Sequence, residues 1–107
     1  TYTGHSSPIN WDAVGGGSSL LSVDDLIGLP VNANQPLVFQ FGCWTTYFVS
    51  PVINAMGNAL VLTPNRGASA VLGSTVLLDQ PNHDRLAAAL GPRLQSEQRL
   101  GDVFESA

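Results

Sequence analysis

The chain carries one cysteine, Cys43, at the end of an apolar run, Leu37-Val38-Phe39-Gln40-Phe41-Gly42. A histidine, His5, ends a shorter strand-like stub, Tyr2-Thr3-Gly4. Open α/β sheets gather reacting groups in the crevice beyond the carboxyl ends of their strands. A cysteine and a histidine at two such ends can meet there as nucleophile and base. In that chemistry the thiolate attacks a peptide carbonyl, an acyl-enzyme forms, and water releases it. The imidazolium next to it favours the thiolate form. Gly42 leaves room for a substrate backbone. The plainer reading of Cys43 is a small buried apolar residue. For His5 it is a loop histidine bonded to a nearby serine or to backbone.

The elements that must position this pair can be read from pattern. Residues 1–5 read as the end of a strand and 6–19 as loop, including the run Gly15-Gly16-Gly17-Ser18-Ser19. That run lacks a following Gly-Lys-Ser/Thr and is no phosphate-binding loop. Ser22 should cap a short helix, with Asp24 and Asp25 in the first turn, where the helix dipole favours acids. Leu26, Ile27 and Leu29 would form its inner face and Pro30 would stop it. A turn-rich connector, 32–36, leads into the strand Leu37–Phe41. After Cys43 comes the aromatic loop Trp44-Thr45-Thr46-Tyr47-Phe48. Ser50-Pro51 reads as a helix start, with Val52, Ile53, Met56 and Leu60 on one buried face. Pro64-Asn65-Arg66-Gly67 is a turn, and residues 68–73 form a short strand of small apolar residues. A loop over 74–80 follows. Pro81 or Asn82 opens a helix carrying Leu86, Leu90 and Leu94, which Gly91-Pro92 should kink or split. Leu100, Val103, Phe104 and Ala107 make a last apolar stripe.

Strand, helix, strand, helix, strand, helix predicts an α/β fold with about three parallel strands. Three such strands expose two long edges. The expectation is therefore a single partial domain over 1–107, with further strands upstream in a larger parent. Composition agrees. The apolar fraction of 44% supports a core, yet only 11% of residues are charged, against about 25% in an average soluble domain. So sparse a charge implies a surface partly covered by more protein, either the rest of the parent domain or a second copy of the chain.

The net charge of −4 comes from eight acids against four arginines, Arg66, Arg85, Arg93 and Arg99, which are dispersed. With no basic stripe, nucleic acid is excluded as an expected partner. One cysteine excludes an internal disulfide framework. No apolar run approaches the ~20 residues of a membrane span. His83 reads as a surface residue at a helix start. His5, Cys43, His83 and Asp79 have no zinc-type spacing, and no acidic cluster has calcium-loop spacing, so neither metal nor cofactor is expected.

Gly4-His5-Ser6-Ser7-Pro8 followed by Trp11 resembles the Gly-His-Gly segment and following Trp of the gingipain-type cysteine peptidases. Ser22-Val23-Asp24-Asp25-Leu26 resembles their next short helix. Phe41-Gly42-Cys43-Trp44-Thr45-Thr46-Tyr47-Phe48 resembles their catalytic cysteine segment. Residues 67–75 are similar to the family's next strand, and 100–107 to a later helix. The resemblance covers nearly the whole chain in order. It implies a caspase-like three-layer α/β/α fold, here about the carboxyl half of the catalytic domain. It also implies a Cys43–His5 dyad cleaving peptide or protein substrates, in an extracellular or cell-surface, bacterial setting. Two positions depart from the family pattern. Ser6 stands where the family has Gly; the resemblance implies that the N–H there donates to the oxyanion together with that of Cys43, and serine keeps the N–H but adds a Cβ that disfavours positive φ. Thr46 replaces a Gly after the cysteine.

Trp11, Trp44 and Tyr47 read either as pocket walls or as core. Ser74, Thr75 and Asp79 would border the cleft, and Asp79 could favour a basic side chain there. The plainer and favoured reading of Asp79 is a solvated loop acid. The competing hypothesis is a non-catalytic caspase-like module that scaffolds a larger surface or signalling protein. Thiol reactivity that depends on His5 separates the two.

Overall fold

The computed structural model describes residues 1–13, 17–96 and 99–106. The first compact unit is Thr1–Leu77, and a second begins at Leu78. In the first unit, β1 (Tyr2–Thr3), β5 (Leu37–Phe41) and β6 (Ala70–Gly73) form a parallel three-stranded sheet in the order β1-β5-β6. The α/β class and the three parallel strands of the sequence reading are therefore present.

Residues 6–19 are not simply loop. Ser6–Ser7 (β2), Asn10–Asp12 (β3) and Ser19–Ser22 (β4) form a separate antiparallel sheet in the order β2-β3-β4. These strands are two to four residues long, too short for the period-two signal to register in sequence. Of the glycine run, Gly15 and Gly16 lie outside the described residues, while Gly17 has φ +84°.

A 3₁₀ helix over Val23–Gly28 follows. Asp25 Oδ2 accepts from both the N–H and the hydroxyl of Ser22, each at 2.7 Å. The expected cap and acidic first turn are thus in place. With three residues per turn this helix buries Leu26 and half-buries Leu29, but it turns Ile27 outward, 79% exposed.

Helix α1 spans Met56–Leu62 and starts five residues later than Ser50-Pro51 suggested. Val52, expected on its buried face, is 88% exposed. The helix begins where its first N–H groups find acceptors. Its N-cap, Ala55, has no side-chain oxygen; instead Met56 N–H donates to Pro8 O (2.7 Å) and Gly57 N–H to Thr45 O (2.8 Å). The core of this unit joins Leu26, Met56, Ala59, Leu60 and Ala68, with Trp11, Leu21, Val23, Val38 and Val71 packed against it. One face of the parallel sheet therefore looks toward α1, the 3₁₀ helix and the small sheet.

The second unit contains α2 (Gln80–Leu94) and α3 (Leu100–Ser106), which pack on each other. Gly91-Pro92 does not split α2, which runs on to Leu94. Pro92 falls within the last turn, so the helix loses little beyond one N–H bond. His83, expected at the surface, is buried; it stands seven residues before buried Leu90 and so shares its stripe. Val103 is buried on α3, whereas Ala107 lies outside the described residues. No helix among the described residues is long and apolar enough to cross a membrane.

Candidate functional site

Register sets the placement of the two candidate residues. In the parallel pairing of β1 with β5, Tyr2 lies opposite Gln40 and Thr3 opposite Phe41. The ladder continues through Gly4 N–H, which donates to Phe41 O at 3.2 Å. His5 and Cys43 each lie three residues beyond the Tyr2–Gln40 pair, just past the ends of adjacent parallel strands. This is the carboxyl end of the sheet, where α/β folds assemble sites. His5 is exposed and Cys43 half-buried.

The two segments are also tied directly. Ser6 Oγ donates to the Cys43 carbonyl at 2.8 Å. A Cβ on Gly42 would collide with Ser6 Oγ and stand 3.1 Å from both Ser6 Cβ and Gly4 O. Glycine at 42 is what lets the histidine and cysteine segments approach so closely. Asp12 N–H donates to His5 O at 2.9 Å, which makes His5–Asp12 a bonded pair of the hairpin. Ser6–Trp11 is then the next, non-hydrogen-bonded pair, and Ser6 N–H points away from β3. Ser6 lies in a strand, and among the described non-glycine residues only Trp44 and Asn65 have positive φ. The added Cβ of Ser6 therefore meets no left-handed backbone.

Trp44, directly after the cysteine, has φ +53°. An L-residue in that conformation costs about 1–2 kcal/mol, and neighbouring bonds hold it. Trp44 N–H donates to Val76 O (3.1 Å), and Tyr47 N–H donates to Trp44 O (3.1 Å). Thr46 N–H donates to Ser74 O (2.9 Å), and Ser74 N–H donates to Thr45 Oγ1 (3.2 Å). Of the pocket candidates, Trp44 and Tyr47 lie in the turn after Cys43, and Ser74, in the loop after β6 with half-buried Thr75 next to it, is bonded to that turn.

Trp11 is engaged in the interior. Its ring stacks on Tyr2 with centroids 4.7 Å apart and planes 6° from parallel. Its Nε1–H donates to Gln40 Oε1 at 2.8 Å. The Tyr2 hydroxyl donates to the His5 carbonyl and accepts from Asp12 N–H (3.1 Å). Burial raises the Tyr2 pKa above its usual value. Asp79 is the N-cap of α2, accepting from Asn82 N–H at 3.2 Å. A cavity of about 250 Å³ is lined by Thr46, Gly57, Asn58, Val61, Leu62 and Val71, and by none of the pocket candidates named from sequence. Among the described residues, no three His, Cys, Asp or Glu side chains cluster to hold a metal ion.

The sequence reading passed over Gln40 and Thr45, which are 1% and 0% exposed. The signal for Gln40 was available: it is the single polar residue inside the run Leu37–Phe41.

The model of peptidase family C25 matches residues 1–107. No curated protein and no solved structure matches the chain.

Proposed function

The chain belongs to peptidase family C25, a cysteine peptidase family, and we propose that it is a cysteine endopeptidase, or the catalytic part of one, acting through Cys43 and His5. The supporting observation is the equal offset of these two residues from the Tyr2–Gln40 pair, past the carboxyl ends of adjacent parallel strands, with Ser6 Oγ bonded across to Cys43 O. The reading takes the three strands as part of a caspase-like sheet.

In this mechanism His5 removes the thiol proton or pairs with the thiolate. Sulfur attacks the peptide carbonyl carbon, forming a C–S bond and an oxyanion. N–H groups of Cys43 and Ser6 receive that charge, each worth about 3–4 kcal/mol in reactions of this type. The C–N bond then breaks, and the leaving amine takes its proton from His5. Water, deprotonated by His5, attacks the thioester and releases the acid. In this reading Trp44 and Tyr47, in the turn after Cys43, and Ser74 and Thr75, in the loop bonded to it, meet the substrate.

The test is labelling with a series of peptidyl acyloxymethyl ketones that differ in the side chain before the reactive carbonyl. The expected result is a single adduct on Cys43, absent from Cys43→Ala and at least about tenfold slower in His5→Ala. No adduct with any probe, while iodoacetamide still reaches the thiol, would favour a non-catalytic module.

A further inference from the structure

We propose that Gln40 is a positioning residue for the Cys43–His5 pair, its amide spanning from the hairpin after His5 to the turn after Cys43. The inference rests on the dyad reading above.

A buried amide is costly unless its polar ends are bonded. Leucine would serve packing better at position 40, inside a strand that is otherwise apolar. Gln40 instead sits at the centre of a row across the sheet, opposite Tyr2 on β1 and Gly73 on β6. Three residues beyond the first two members of that row come His5 and Cys43.

Each end of the amide has a distinct direction. An indole N–H is donor only, so the oxygen must face Trp11 and the nitrogen must face away. Through Trp11 the oxygen end reaches the Tyr2 ring, and the Tyr2 hydroxyl holds the His5 carbonyl. The nitrogen end points into the space kept open by two glycines. A Cβ on Gly73 would stand 3.1 Å from Gln40 Nε2, and one on Gly57 would stand 3.2 Å from it. Both would also crowd Thr46 Oγ1. Gln40 Nε2 and Thr46 Oγ1 are each buried without a hydrogen-bond partner. They face one gap, and each offers what the other lacks, a donor hydrogen and an acceptor lone pair. Thr46 is fixed in the turn after Cys43 by its own N–H bond to Ser74 O. One side chain is therefore bonded to the first segment and lies beside the same two glycines as the second. Displacements on the order of 1 Å between reacting groups can cost up to about a hundredfold in rate.

The test compares iodoacetamide alkylation of Cys43 at mildly acid pH in the full chain: wild type, His5→Ala, Gln40→Met, Gln40→Met/His5→Ala, and Trp11→Phe. Gln40→Met keeps the volume and deletes both polar ends. Trp11→Phe keeps a ring on Tyr2 and deletes the indole donor. The expected result is an alkylation rate about tenfold or more below wild type in both. In the Gln40→Met background, His5→Ala should have no further effect. A merely structural role would lower stability yet leave the His5 dependence intact in the folded fraction, and that outcome overturns the inference. Should Gln40→Met fail to fold by circular dichroism, Trp11→Phe decides: a wild-type rate there also overturns it. A wild-type rate already indifferent to His5 removes the dyad reading, and the inference falls with it.

Discussion

Replacing Gly42 with alanine probes the close approach of the histidine and cysteine segments. The new Cβ would overlap Ser6 Oγ and lie 3.1 Å from Ser6 Cβ and from Gly4 O. The hydroxyl can rotate away, but only by giving up its 2.8 Å bond to Cys43 O, at about 1 kcal/mol. The other two contacts cannot be relieved by rotation, since one atom is backbone and the other is fixed by it. Overpacking of this kind adds about 1–3 kcal/mol. Gly42→Ala should therefore destabilise the first unit by about 2–4 kcal/mol, lowering Tm by at least about 8 °C for a domain of this size. Urea unfolding followed by tryptophan fluorescence reads this unit alone, because both tryptophans, Trp11 and Trp44, lie in it. Ser6→Ala alone should cost about 1 kcal/mol. Because the alanine at 6 removes the worst overlap, the double variant should cost less than the two singles together, by about 1 kcal/mol or more. Strict additivity, or a Gly42→Ala protein within about 0.5 kcal/mol of wild type, would refute the geometry on which the close approach is argued.

Three further outcomes can be checked separately. Asp79→Ala should weaken the start of α2 by about 0.5–2 kcal/mol, and Asp79→Asn should largely preserve it, as local hydrogen exchange over α2 would report. The Ser22 hydroxyl, and then its N–H, hold the Asp25 carboxyl below the usual aspartate value. The stabilisation this gives is present above the unfolded-state value of about 3.9 and is lost as pH falls through the lower folded-state value. An NMR titration should find the Asp25 midpoint moving up in Ser22→Ala. For Tyr2 the sign is opposite. Its raised pKa, caused mainly by burial, means that stability is retained below about pH 10 and lost as pH rises toward the folded-state value. Phenolate absorbance should show a late step that Tyr2→Phe removes.

Much of the candidate site can be proposed from residue types alone. Cys43 was marked by its place after an apolar strand, and His5 by its place after a stub. The register of Tyr2 on Gln40 then gives both the same offset past the ends of adjacent strands. What stayed hidden depends on distant partners. The strands β2, β3 and β4 are too short to carry a period, and they form because they pair with one another. Helix α1 starts at Met56 because carbonyls of Pro8 and Thr45, distant in sequence, accept its first N–H groups. No local capping residue announces that start. Trp11 was left between pocket wall and core; its stacking on Tyr2 and its bond to Gln40 are tertiary facts. Ile27 turned outward because the helix is 3₁₀, whose shorter period moves the buried stripe.

The measurement that bears most directly on the central claim is the rate of Cys43 alkylation by iodoacetamide at mildly acid pH, in wild type and in His5→Ala. A working dyad predicts fast alkylation that falls by at least about tenfold when His5 is replaced. Equal rates in two folded proteins would contradict the assignment of His5 and Cys43 as one catalytic pair.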